Sequence, residues 1–117
     1  MPRSSWIASY VGTPGGLTDF FTCPAGITTL VKTISIGCWE GVLNDVAELW
    51  VYRAGLATSV PFAVCFNNGV ISPAGQVLCF LVLQPGDKLQ MDQEGSGTSV
   101  CSADCSGAFL EGVAGIV

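Results

Sequence analysis

Short runs rich in Val, Ile, Thr and Phe recur along this chain, and each run ends at Gly, Pro or Asn. In segment 19–36, Pro24 and Gly26 separate one such run from a second run that reaches Ile36. Branched and aromatic side chains favour strands, and a Gly two residues after a Pro commonly reverses a strand. This punctuation predicts a chain of short antiparallel strands rather than helices.

The turn signals divide the chain into eight predicted strands. They are residues 6–11, 17–23, 27–38, 46–53, 60–66, 77–83, 89–93 and 98–110. The predicted fold is all-β, a single antiparallel β-sandwich (jelly-roll-like) of about eight strands. Residues 17–117 are assigned to the sandwich domain. Residues 1–16 are predicted either as an N-terminal arm laid on an adjacent subunit or as an edge strand of the same domain.

Charged residues are scarce for a chain of this length. The 117 residues suffice for one domain; half are hydrophobic and only 11% are charged, against about 25% in an ordinary soluble domain. A small domain needs a polar surface to remain a free monomer. We therefore expect part of the surface to be buried against partners or against copies of the same chain.

The formal net charge is −5, and only four residues are positively charged. They are Arg3, Lys32, Arg53 and Lys88. Because they do not cluster, the chain lacks the basic patch that binds the phosphates of nucleic acid or an acidic membrane surface. We expect no nucleic-acid partner and no membrane partner.

The longest fully apolar run, residues 77–83, is much shorter than the roughly 20 residues that span a bilayer as a helix. It is apolar on both faces, which predicts a central strand or a strand at an interface. Residues 1–10 contain one Arg but no apolar run, so no secretory leader is predicted. Synthesis in the cytoplasm is expected.

Six cysteines stand at positions 23, 38, 65, 79, 101 and 105. Thiols of cytoplasmic proteins stay reduced, so the favoured interpretation is that these residues are small buried hydrophobic side chains. A disulfide formed after release into an oxidising medium and a metal site are the two alternatives that the sequence leaves open.

The residues that usually carry out catalysis are missing or scattered. The chain has no His, the commonest general base. The carboxylates that lie near one another in sequence are Asp45 with Glu48, Asp87 with Asp92 and Glu94, and Asp104 with Glu111. Each fits a turn or a solvated strand face, although residues 87–94 could also offer oxygen ligands to calcium. We predict no enzyme activity, no catalytic residue, no metal and no cofactor.

Aromatic side chains are the remaining candidates for a functional site. Trp6, Trp39, Trp50, Tyr52 and Phe80 are predicted as anchors of the core or of a subunit contact, because aromatic residues are enriched at the centres of such contacts. Trp50 and Tyr52 share one face of their strand, opposite Leu49 and Val51. A platform for stacking a sugar ring is the alternative.

Three blocks, in this order, carry a family resemblance. They are FFTCPAGITTLVKTISI at 20–36, LVLQPGDKLQM at 81–91 and SGAFLEGV at 106–113. Together they resemble β-sandwich virion structural proteins of tailed bacteriophages, of the minor tail and head-decoration types. The resemblance implies a non-enzymatic virion component, commonly a trimer or a symmetric ring, and it carries over no catalytic residue.

The predicted function is therefore that of a bacteriophage virion structural protein, in the tail rather than the capsid and made in the host cytoplasm. A minor tail (tail-tip) component is favoured, with copies of itself in a trimer or ring and other virion proteins as its partners. One alternative is a capsid decoration (cement) protein that stabilises the head. A further alternative is a carbohydrate-binding module that recognises a host surface glycan.

Overall fold

The computed structural model describes residues 3–69 and 73–111, with side chains described for residues 5–69 and 81–110. These residues form eight strands and no helix, and so no helix in this part of the chain could span a membrane. The strands are β1 Arg3–Gly12, β2 Thr18–Thr22, β3 Ile27–Trp39, β4 Val46–Arg53, β5 Thr58–Phe66, β6 Pro73–Leu83, β7 Lys88–Glu94 and β8 Val100–Glu111. The predicted all-β fold is confirmed.

The eight strands form two four-stranded antiparallel sheets that pack face to face. The first sheet has the order β1-β8-β3-β6, and the second has the order β2-β7-β4-β5. This arrangement of eight strands in two sheets is a jelly roll. The predicted antiparallel sandwich is therefore confirmed, and its edge strands are β1 and β6 in one sheet and β2 and β5 in the other.

Two predicted segments occupy sheet edges. The apolar segment 77–83 belongs to β6, which begins at Pro73 and pairs only with β3 among the described strands. The alternative that it is a central strand is therefore wrong. Residues 3–12 form the opposite edge of the same sheet and pair with β8 along their whole length. Periodicity reports which face of a strand is buried, whereas the order within a sheet is set by pairing between distant segments.

The core lies between the sheets and follows the expected two-residue alternation. In β4, Ala47, Leu49 and Val51 are buried, and the residues between them face outward. The alternation in β3 is interrupted where the register shifts between Val31 and Thr33. This bulge leaves Lys32 exposed and returns the following apolar residues to the core.

An aromatic cluster closes the side of the sandwich where β1 and β2 are the edges, called here the β1–β2 flank. Trp6 is 6% exposed, and its ring centroid lies 4.6 Å from that of Phe21 and 6.1 Å from that of Phe109. Its Nε1–H donates to the carbonyl oxygen of Leu30 at 3.2 Å. Gly107 lies opposite Trp6 on β8, and a Cβ there would overlap the same carbonyl oxygen.

At one end of the sandwich, three loops meet at the buried carboxylate of Asp45. The Ser96 N–H donates to Asp45 Oδ1 at 2.9 Å, and the hydroxyls of Ser96 and Ser99 donate to Oδ2, the latter at 2.7 Å. These hydrogen bonds lower the pKa of Asp45 to about 2. The N–H of Asn67, just after β5, donates to the Asp45 carbonyl at 2.8 Å. This Asp45 clamp therefore fixes the end of β5.

A second buried carboxylate, Asp87, fixes the start of β5. It accepts hydrogen bonds from the Arg53 guanidinium at 2.9 Å, from the Ala54 N–H at 2.9 Å and from the Gln84 N–H at 3.0 Å. These bonds tie the β4–β5 turn to the β6–β7 turn. Two aspartates thus flank β5: Asp45 holds its end through a backbone carbonyl, and Asp87 holds the turn before its start through its carboxylate.

Candidate functional site

The edge strands β5 and β6 lie on the same side of the sandwich, called here the β5–β6 flank. No charged residue occurs between positions 54 and 86, a segment that contains both strands. Charged side chains, especially Lys, are a common means of protecting an edge strand from pairing with another chain. Here that protection is missing over two adjacent edges.

The outward face of β5 presents a row of apolar side chains, Phe62, Val64 and Phe66, which we call the Phe62–Phe66 row. Their exposed fractions are 40%, 52% and 57%. The residues between them face inward: Cys65 is buried and Ala63 packs against the core. Strand geometry thus directs the three largest side chains of this segment to solvent while the small ones fill the interior.

Among the strands that the structure describes, β5 pairs only with β4. Phe66 lies opposite Val46, and Val64 lies opposite Glu48 on β4. The register then shifts, because Leu49 pairs with Ala63 and Trp50 pairs with residue 61, so that Phe62 sits in a bulge. Within the described part of the chain β5 is the last strand of its sheet, and the N–H and C=O groups on its outer side face outward from the sheet.

The outer face of the second sheet holds two of the predicted anchors beside this row. Trp50 and Tyr52 are both half-buried, and they lie opposite Gln90 and Lys88 on β7. The Trp50 Nε1–H donates to Glu48 Oε1 at 3.2 Å. Lys88 Nζ lies 5.4 Å from the centroid of the Tyr52 ring, within the range of a cation–π interaction.

Three carboxylates from β4 and β7 converge on the same face. Oxygens of Glu48, Asp92 and Glu94 all lie within 4.8 Å of one another. Such oxygens are the ligands that Ca²⁺ prefers, and this group could hold a cation. The sequence grouped Asp92 and Glu94 with Asp87 and grouped Glu48 with Asp45. In the structure Asp45 and Asp87 instead accept hydrogen bonds near opposite ends of β5.

The other predicted anchors lie elsewhere. Trp6 is a core residue of the β1–β2 flank. Trp39 is half-buried at the end of β3, opposite Val100 of β8. Phe80 lies in β6, but its side chain is outside the described residues. The structure thus brings together Trp50 and Tyr52 and separates them from Trp6 and Trp39.

The five described cysteines are buried free thiols, and the side chain of Cys79 is outside the described residues. Cys38 and Cys101 lie directly opposite each other on β3 and β8. Burial raises the pKa of both thiols, that of Cys101 to about 12. Because the thiolate is the reactive form, these two residues are poor nucleophiles in the folded chain.

A cavity of about 430 Å³ lies between the β4–β5 turn and the β6–β7 turn. Its lining residues are Arg53, Gly55, Leu56, Gln84, Pro85 and Asp87. The charged groups among these, Arg53 and Asp87, are paired with each other. The pair therefore supplies neither a free cation nor a free general base.

The Phe62–Phe66 row was predicted as part of a strand but not as a site. Two signals in the sequence point to it: the missing charge between 54 and 86, and the near-palindrome FAVCF at 62–66. Neither signal identifies the row without the sheet order, because only that order shows that the strand lies at an edge of the sheet.

No protein-family model matches the chain, and no curated protein matches it.

Proposed function

We propose that this protein is a structural component of a tailed-bacteriophage virion, most specifically a minor tail (tail-tip) protein. It assembles by symmetric contacts with copies of itself and with other virion proteins, and it performs no catalysis. The observation that carries the proposal is the uncharged β5–β6 flank with its exposed Phe62–Phe66 row.

The physical basis is burial of apolar surface. Each Å² of apolar surface removed from water stabilises a contact by about 25 cal/mol. When another protein covers a flank without charged side chains, no charged group is stripped of its water. Little desolvation cost therefore opposes association. Contacts of this kind weaken little when salt is added, which suits a particle that must survive outside its host.

The fold and the family resemblance add support. Jelly rolls recur in viral capsid proteins, although a fold alone does not determine a function. Two of the resembling blocks also meet in space: the Cys23 N–H donates to the Asp87 carbonyl at 2.8 Å, and the Gly86 N–H donates to the Cys23 carbonyl at 3.0 Å. The PAG turn and the PGD turn are therefore adjacent in this fold.

Immunogold electron microscopy of intact virions of the encoding phage, with antibody to this chain, tests the proposal. Label at the tail or its tip is the expected result. Label over the head would instead identify a capsid decoration protein, and particles lacking it should then lose heat stability. Absence of the chain from purified virions, checked by mass spectrometry of dissolved particles, would refute both forms of the proposal.

A carbohydrate-binding function is the second candidate, and the outer face of the second sheet favours it. Trp50 and Tyr52 lie there beside Glu48, whose carboxylate could accept hydrogen bonds from sugar hydroxyls. If this candidate is correct, Trp50→Ala will abolish binding to host surface glycans on an array and leave the oligomeric state unchanged. Equal binding by wild type and Trp50→Ala would exclude this face.

A further inference from the structure

From the geometry of β5, we infer that two copies of this chain pair antiparallel along this strand, about a two-fold axis at Val64. The two second sheets then form one continuous eight-stranded sheet. This inference deepens the proposed function, because it names the surface and the partner of one symmetric contact.

The exposed segment of β5 is nearly symmetric in sequence about Val64. Residues 62–66 read FAVCF, so large side chains flank small ones around Val64. In an antiparallel pair centred on Val64, Phe62 of one copy lies opposite Phe66 of the other, and Val64 lies opposite its own copy. A two-fold contact requires such self-complementarity, since each surface must match itself. Cross-strand pairs of aromatic and branched residues stabilise sheets.

Electrostatic repulsion between two copies is weak at this flank. The whole chain carries a net charge of −5, so two copies repel each other on most approaches. Beside this flank Glu48 lies opposite Val64, one strand in from the edge, with Asp92 and Glu94 further in on β7. At about 4.8 Å between strands, the two Glu48 side chains of a pair would be about 14 Å apart. That separation exceeds the screening length of about 8 Å at physiological salt.

The segment of β5 that can pair with a second copy is short. Pro61 has no N–H to donate, and Phe62 lies in the bulge where the register with β4 shifts. Regular backbone pairing is therefore limited to residues 63–65, and Phe62 and Phe66 contact each other through their side chains at its two ends. A contact this short gives a weak interface, with dissociation in the micromolar range rather than the nanomolar range. Additional contacts within a particle would strengthen it.

The oligomeric state of the full chain tests the contact. Sedimentation at about 5–200 μM protein is expected to show species with an even number of copies. Val64→Lys places like charges face to face on the axis and should halve the mass. Val11→Lys is the matched control, because Val11 is 71% exposed on the edge strand β1, and it should leave the mass unchanged. A wild-type monomer at every concentration, or a mass that Val64→Lys leaves unchanged, overturns the inference.

The register is tested by oxidation with glutathione disulfide, which is reduced to two glutathione molecules as two protein thiols join. Val64→Cys should yield a covalent dimer, because the two introduced thiols face each other across the axis. Phe66→Cys alone should not, because its two introduced thiols would lie about 14 Å apart, too far for a disulfide. Wild type treated in the same way controls for the native cysteines. Equal cross-linking of both variants would overturn the register.

These experiments can refute the β5 contact and the virion proposal independently of each other. A cross-linked dimer together with absence from virions would leave the β5 contact standing and refute the virion proposal. Presence in virions together with a monomer or an odd-numbered ring would refute the β5 contact alone.

Discussion

The two flanks of the sandwich are finished in different ways. On the β1–β2 flank, Trp6 reaches inward across the gap between the sheets and stacks on Phe21. In β5, on the other flank, the small residues Ala63 and Cys65 face inward and the Phe62–Phe66 row faces solvent. Aromatic side chains therefore stabilise the fold on the first flank, whereas on the second they are left available for another chain.

The two flanks also differ in their charged residues. Asp19 and Lys88 form an ion pair at 3.0 Å where β2 meets β7, beside the β1–β2 flank. The β5–β6 flank has no charged residue between positions 54 and 86. Exposure of apolar residues alone therefore does not identify a contact surface. Ile7 is 78% exposed on β1, but it stands among serines, whereas the β5 residues form an uninterrupted row.

The largest predicted effect is the loss of the aromatic closure. Trp6→Ala should lower the free energy of unfolding by about 3–5 kcal/mol, because it leaves a cavity beside Phe21 and removes the hydrogen bond to the Leu30 carbonyl. Urea unfolding followed by circular dichroism measures the change. Ile7→Ala, next to it on the exposed face, should change stability by less than about 0.5 kcal/mol. Equal losses for the two variants would contradict the assigned roles of the two faces.

Gly107 tests the same closure from the opposite strand. Gly107→Ala should cost about 2–3 kcal/mol, because the new methyl group meets the backbone carbonyl of Leu30, which cannot move without shifting β3. Gly55→Ala is the control, since a Cβ at Gly55 meets no other atom within 4 Å. Urea midpoints of the two variants can be compared directly. A neutral Gly107→Ala would show that β3 and β8 are less closely packed here.

The fold was largely predictable from the sequence, because short β-branched runs and Gly-Pro turns act locally. The two faces of β4 followed from alternation alone. The position of segment 77–83 at a sheet edge did not, since it depends on which distant strand pairs with β3. For the same reason, the sequence could not group Glu48 with Asp92, or separate Trp50 from Trp6. The exposed row on β5 required both the strand order and the bulge.

A pH dependence is expected from the Asp45 clamp, which holds the end of β5 next to the exposed row. Hydrogen bonds from Ser96 and Ser99 lower the pKa of Asp45 from 3.8 to about 2. The group therefore contributes stability that is fully present above pH 3.8 and is lost as the pH falls towards 2. Unfolding in urea at several pH values should show this loss in wild type and a weaker loss in Asp45→Asn. The same slope in both would assign the acid sensitivity to other carboxylates.

The smallest predicted effect concerns the ion pair beside the β1–β2 flank. Asp19 accepts hydrogen bonds from Gln90 at 2.8 Å and from Lys88 at 3.0 Å, and these bonds, that from Gln90 foremost, lower its pKa. Both members of the Asp19–Lys88 pair are partly exposed, so Asp19→Asn should cost less than about 1 kcal/mol, and less still in high salt.

Asp19→Asn should be examined both by sedimentation, which gives its association state, and by its urea midpoint, which gives its stability. Loss of this charge is expected to leave the association state unchanged, because the adjacent β1 edge lacks a continuous apolar row. Val64→Lys, by contrast, adds a single charge on the other flank and should abolish association. If Asp19→Asn associated further, charge on β2 would be what keeps the β1–β2 flank free. The difference between the flanks would then lie in charge rather than in the direction of their aromatic side chains.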